Sequence, residues 1–316
     1  MGVIDCLSAG YRYLGWRLEL ILIPIVLDLL LWLGPHLNVA PLFDQFAASY
    51  RSLAAAEGVT PEIGQMVNQL ADSIRQMGEG SNLLNGLVSS TLLHVPGLPV
   101  VAAKWLPHYS IDVTTVGEAT IWWLLFSLLG LLLGVIYLTL LARRLPIGSV
   151  AGSSGGQVAV AVLRHWLQVI GFVLIVALAL LIAYLPISFV VGLLMLASPA
   201  IGSAAAAFAG AVTLVVFFYL YFVTAALIMD NVPLNVAIMR SIRLVRENFW
   251  ATLGFILLSN LIGLGIALLL VQLADIGMWA GFVAIVVNAY IGTGLSMALL
   301  VFYRSRFIKG ADMAHF

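Results

Sequence analysis

Charge is what this 316-residue chain has least of. Only 9% of its residues are Asp, Glu, Lys or Arg, 63% are hydrophobic, and its mean hydropathy is +1.11. Soluble domains are about 25% charged and about 45–50% apolar. A water-soluble enzyme or a free nucleic-acid-binding protein is therefore excluded, and lipid is the expected solvent. Fourteen basic and fourteen acidic residues cancel, so no whole-chain field selects a charged partner. The single cysteine, Cys6, rules out an intramolecular disulfide and any zinc or iron–sulfur centre built from thiolates. The histidines, His36, His94, His108, His165 and His315, avoid the middles of the apolar runs, where axial haem ligands would sit. His94 and His108 share one segment but lack a neighbouring ligand set. P-loop, His-Glu-x-x-His and Cys-x-x-Cys motifs are all missing. Gly152-Ser153-Ser154-Gly155-Gly156 matches G-x-S-x-G only literally, because it lies in a Gly/Ser linker rather than on a strand–turn–helix elbow. No metal, cofactor or nucleic-acid partner is expected.

What is present is a set of six apolar runs, about 18–33, 120–141, 166–185 with a tail to 197, 203–229, 250–273 and 279–302. Roughly 20 apolar residues cross a bilayer as a helix. The first run carries Pro24 and Asp28 with no small-residue cleavage site close behind it, so it reads as a retained helix rather than a signal peptide. The fold class is all-α, a polytopic bundle of six transmembrane helices forming one integral membrane domain over 1–316. Orientation follows from the basic residues. Arg12, Arg17, Arg143, Arg144, Arg164, Arg240, Arg243, Arg246, Arg304, Arg306 and Lys309 fall on one side, and Arg51, Arg75 and Lys104 on the other. The positive-inside bias places both termini in the cytoplasm of a bacterial-type inner membrane. Trp122, Trp123, Trp166, Trp250 and Trp279 mark helix ends as interfacial aromatics do. Gly130-x-x-x-Gly134 and Gly277-x-x-x-Gly281 permit close packing.

Two segments lie outside the runs. Residues 38–117 form an extracytoplasmic helical insertion between the first two helices, with a charge of −4 when Glu118 at its boundary is counted. Thr60-Pro61-Glu62 is a helix start. Ile63, Met66, Val67, Leu70, Ile74 and Met77 follow at helical spacing, and Pro41–Glu57 places Phe43, Phe46, Tyr50 and Leu53 on one side. These helices are expected to lie on the outer leaflet or cap the bundle, with a lid over a site as the competing reading. Residues 231–248 form a cytoplasmic interfacial helix. Asn231 is placed to cap it, Leu234, Ile238, Ile242 and Val245 form its apolar stripe, and Arg240, Arg243 and Arg246 face lipid headgroups or a docking partner.

Asp28 is the most informative side chain. A carboxylate in the membrane costs about 2.5–3.5 kcal/mol, offset here by eight Leu and three Ile between Leu18 and Leu33 at about 0.3–0.6 kcal/mol each. Asn260 and Asn288 fall near the middles of the fifth and sixth helices, so Asp28, Asn260 and Asn288 form a candidate intramembrane polar cluster. Such a cluster serves either as a relay in a transporter or as hydrogen-bonding glue between helices, at about 0.6 kcal/mol per bond. Glu19, Asp230 and Glu247 sit at helix ends near arginines and read as interface residues.

The stretch from Val236 through Arg240, Arg243, Arg246 and Phe249 to Trp250, followed by Leu253-Gly254-Phe255-Ile256-Leu257-Leu258, resembles the basic elbow and helix start of poorly characterised bacterial six-helix membrane proteins. These are similar to the membrane domain fused to some glycerophosphodiester phosphodiesterases. The resemblance covers roughly 156–309 and implies a membrane-domain role; no phosphodiesterase domain accompanies it. Within the same half, His165–Leu174 aligns without gaps on Asn248–Leu257, a faint internal repeat of hairpins.

Three function classes follow. The first is a non-catalytic integral membrane protein acting as subunit, scaffold or lipid-associated factor, whose partners are the bilayer and other membrane subunits. The second is a small-solute or lipid transporter using Asp28, Asn260 and Asn288. The third is a membrane enzyme with its site near His94, His108 and Asp112.

Overall fold

The computed structural model describes residues 2–15, 17–54, 61–79, 81–87, 93, 95–98, 109–145 and 155–313. The helices are α1 (Val3–Leu14), α2 (Leu22–Leu33), α3 (Ala40–Ala54), α4 (Pro61–Gly78), α5 (Val116–Arg144), α6 (Gly155–Ala197), α7 (Pro199–Leu220), α8 (Val223–Asp230), α9 (Leu234–Glu247), α10 (Phe249–Ala274) and α11 (Met278–Met313). Two three-residue strands, β1 (His36–Asn38) and β2 (Ser110–Asp112), pair in parallel. Among the described residues, five helical stretches are long and apolar enough to cross a membrane: Val116–Arg144, Val158–Ala197, Pro199–Asp230, Phe249–Ala274 and Met278–Arg306. The chain is therefore all-α and built like a membrane protein.

The first expected helix differs from its reading. Leu18–Leu20 is a 3₁₀ turn, and α2 follows over only 12 residues. Pro24 sits in the opening turn of α2, and Gly34 ends it with an extended backbone. Alone α2 is about 18 Å long; with the stretched 3₁₀ turn the run reaches about 25 Å.

The chain divides into two compact units. One contains 1–20, 134–262 and 294–316. In it α1 lies directly on α11: a Cβ added at Gly10 would stand 2.5 Å from the Ala298 backbone nitrogen. Gly15, at φ +49°, stops α1 in a conformation that disfavours side chains. The 43-residue α6 runs through Pro186 without ending and folds back onto α7, where Tyr184 and Thr213 hydroxyls meet at 2.6 Å. Val223–Met229 of α8 are all buried, and Phe222, Phe255 and Phe302 stack beside them. The break between α7 and α8 is stitched by Ser241 of α9, whose hydroxyl donates to Tyr219 O at 2.7 Å and accepts from Phe222 N at 3.2 Å. That bond turns α9 relative to its expected stripe. Its buried residues are Ala237, Ser241, Leu244 and Val245, while Leu234, Ile238 and Ile242 are half-buried.

The other unit contains 21–133 and 263–293. Leu27 and Leu31 of α2 pack with Leu37, Val39, Leu84, Leu87 and Val113. Trp32 packs with Leu98, Leu270, Ala284 and Ile285. Of the glycines expected to admit close approach, Gly130 receives the Leu87 carbonyl and Gly281 the Trp32 ring, whereas a Cβ at Gly277 would meet nothing within 4 Å.

Candidate functional site

Two buried polar centres emerge, one in each unit. In the first, Asp28 of α2 is 1% exposed. Both of its carboxylate oxygens accept the Leu98 N–H, at 3.1 Å each. Its surroundings are apolar, so an unmade hydrogen bond here would be costly. Asn288 of α11 faces the same carboxylate, with its Nδ2 outside strict hydrogen-bond geometry among the described residues. The described structure thus brings Asp28 and Asn288 together. Asn260 belongs to the other unit; it is exposed on α10, and its amide donates to the Ile256 carbonyl of its own helix at 2.8 Å.

The second centre was not anticipated as one. Asp230 ends α8 with its side chain 5% exposed. Arg240 donates to Oδ2 at 2.5 Å, the Tyr303 hydroxyl to Oδ2 at 2.5 Å, and Arg304 to Oδ1 at 3.2 Å. A carboxylate at a helix C-terminus faces the unfavourable end of the helix dipole; two guanidinium groups reverse that local charge. Asn231 follows in the left-handed region at φ 52°, which asparagine tolerates better than most residues. Its Oδ1 accepts from the Arg164 guanidinium and lies 2.9 Å from His165 Nε2. Asn231 therefore closes α8 instead of capping α9, whose N-cap residue is Pro233. Gln168 adds a bond to the Val232 carbonyl at 3.3 Å. The knot fastens α6, α8, α9 and α11 to one another.

The three α9 arginines diverge accordingly. Arg240 turns inward to Asp230, whereas Arg243 is 76% exposed beside Glu247 and Arg246 is exposed. One sequence signal could have located the knot: no charged residue occurs between Arg164 and Asp230, so Asp230-Asn231 is the first charge after two full apolar helices. Asn231 yields a graded prediction. Asn231→Gly relieves the left-handed backbone but loses the Arg164 and His165 contacts. Asn231→Ala loses the contacts and adds backbone strain, and should unfold about 1–2 kcal/mol more easily than the glycine variant; thermal unfolding of both variants in lipid discs checks the order.

His94, His108 and Gly152–Ser154 lie outside the described residues, and Gly155 and Gly156 open α6. Among the described residues, no three His, Cys, Asp or Glu side chains converge closely enough to hold a metal ion. Compared with protein-family models, curated proteins and solved structures, the chain matches none.

Proposed function

We propose that the chain is a non-catalytic integral membrane protein that works as a subunit, scaffold or lipid-associated factor. It crosses a bacterial-type inner membrane six times, with the 3₁₀ turn and α2 as a short first span and both termini in the cytoplasm. The insertion over 38–117 then lies outside, and α9 lies at the cytoplasmic interface. The observation that supports this reading is where the buried carboxylates go: Asp28 is occupied by the chain's own Leu98 amide, and Asp230 by Arg240, Tyr303 and Arg304. Groups already satisfied inside the fold serve to hold helices together. The resemblance of 236–258 to poorly characterised six-helix membrane proteins, similar to the membrane domain fused to some glycerophosphodiester phosphodiesterases, is compatible with this reading.

One observation favours a second reading, a small-solute or lipid transporter. The Asn288 amide is buried beside the Asp28 carboxyl group, and a pair of buried polar groups inside a membrane span suits the passage of a polar group. The test is extraction from native membranes in lipid discs, with every co-purifying protein and lipid identified by mass spectrometry. A stoichiometric protein or an enriched lipid class is expected. Recovery of the chain with neither, together with solute flux in proteoliposomes that Asp28→Asn abolishes, would overturn the scaffold reading in favour of transport.

A further inference from the structure

Helices α3 and α4 pair antiparallel. Gly78 meets Phe43 and Ala40, and the pairs Arg51–Asp72 (2.5 Å) and Arg75–Asp44 (3.5 Å) cross the seam. At 100° per residue, both ion pairs fall along one edge of this hairpin, continuous with Gln65, Gln69 and Gln76. Phe46 and Tyr50 of α3 and Met66, Leu70 and Met77 of α4 all fall along the opposite edge. They are not packed away: Met66 and Met77 are 69% and 68% exposed. The inward face uses small residues instead, with Ala47 and Ala71 at the seam.

The hairpin is also held at a definite level. Gln45 Nε2 donates to the Thr114 carbonyl, Asn38 to the Asp112 carboxylate, and β1 pairs with β2 just before α5 begins. Exposed Trp122 and Trp123 lie two turns into α5, so the root of the hairpin sits about 10–15 Å along the chain from an aromatic pair of the kind that marks headgroup depth. Interfacial helices bury their apolar faces about 5–10 Å into the headgroup–acyl boundary, which is within reach of this root.

From this geometry we infer that the α3–α4 hairpin seats its Phe46, Tyr50, Met66, Leu70 and Met77 edge in the acyl-chain boundary of a zwitterionic lipid leaflet. The inference rests on the proposed membrane placement of the chain. The lipid is zwitterionic because the 38–117 segment carries more acid than base and the apolar edge has no cation on it. Anionic headgroups would repel the hairpin rather than recruit it, and apolar area alone drives the contact.

The test uses the full chain in phosphatidylcholine discs. Cys6 is fully buried, so the unsubstituted chain serves as the labelling blank. Single cysteines at Met66, Leu70, Gln69 and Gln76 carry a nitroxide whose collisions with oxygen and with a water-soluble nickel chelate are compared. The same is done at Leu178 on the span α6, which is 57% exposed. Oxygen should dominate several-fold at positions 66, 70 and 178 and the nickel chelate at 69 and 76, with no strengthening when phosphatidylglycerol is added. Nickel reaching 66 and 70 as freely as 69 overturns the inference, because the edge is then in water. Exclusion of both reagents also overturns it, because protein then covers the edge. If position 178 is itself open to nickel, the membrane placement fails; if 178 favours oxygen while 66 and 70 do not, only the hairpin inference fails.

Discussion

Asp230→Ala is expected to destabilise the folded chain by about 3–5 kcal/mol, the usual cost of removing one partner from a buried ion pair. The loss comes less from the attraction removed than from what is left behind. Arg240 and Arg304, at 30% and 28% side-chain exposure, would keep their positive charges near the C-terminus of α8 without the carboxylate that holds them. Tyr303, fully buried, would lose the acceptor of its hydroxyl. Partial rehydration of the two guanidinium groups places the effect toward the lower end of that range. Tyr303→Phe removes the hydroxyl's hydrogen bond to the Asp230 carboxylate and should cost about 1.5–3 kcal/mol. Arg243→Ala removes an exposed partner of Glu247 and should change stability by less than about 1 kcal/mol. Thermal or SDS-induced unfolding of the three variants in one lipid environment reads this order directly. Equal midpoints for Asp230→Ala and Arg243→Ala would mean that the knot does not hold α8, α9 and α11 together. Salt offers an independent check, because partly buried pairs are screened far less than exposed ones: raised salt should leave the Asp230 effect largely intact.

The contrast among these arginines also marks where a sequence stops being readable. Long apolar runs identify themselves, because twenty residues without charge need no tertiary information to be recognised. Five of the six runs read from the sequence fall inside the long apolar stretches Val116–Arg144, Val158–Ala197, Pro199–Asp230, Phe249–Ala274 and Met278–Arg306, whereas the first, 18–33, yields only the short helix Leu22–Leu33. The helix start at Pro61 was legible for a similar reason, since proline lacks the N–H that a first turn leaves unbonded. Asp230 was not legible as a hub, because Tyr303 and Arg304 lie more than seventy positions away in the chain. Periodicity reports only neighbours on one helix face. The α9 stripe was misjudged because Ser241 reads as a surface residue. It is buried because the α7–α8 break exposes a carbonyl and an amide that a hydroxyl can satisfy together. The split of the first run into a 3₁₀ turn and a short α2 was equally hidden, since composition measures how apolar a segment is and not how tightly it winds. For the candidate site, residue types were readable and pairing was not: Asp28 and Asn288 meet, but the partner that occupies the carboxylate is a backbone amide, which every non-proline residue carries.

That amide makes Asp28 the second position where a large effect is expected, and one whose two substitutions separate structure from transport. Leucine at 28 fits the apolar surroundings of α2 but offers no acceptor, so the buried Leu98 N–H is orphaned at about 1–3 kcal/mol. Asparagine keeps one oxygen for the amide and should retain most of that contact while losing the ionisable group. Hydrogen exchange at the Leu98 amide measures the contact itself. It should quicken by about tenfold for each 1.4 kcal/mol lost, strongly in Asp28→Leu and modestly in Asp28→Asn, with global unfolding shifting in the same order. If Asp28 instead moves protons or polar solutes, the order inverts in function: Asp28→Asn would preserve the Leu98 amide and still abolish flux, because an amide accepts a hydrogen bond but does not carry a proton between states. A protected Leu98 amide with flux lost would assign Asp28 to transport. A Leu98 amide that exchanges alike in both variants and in the unsubstituted chain would remove the carboxylate from the architecture. The expected result, exchange that follows the acceptor rather than the ionisable group, makes Asp28 the clasp between α2 and the chain at Leu98.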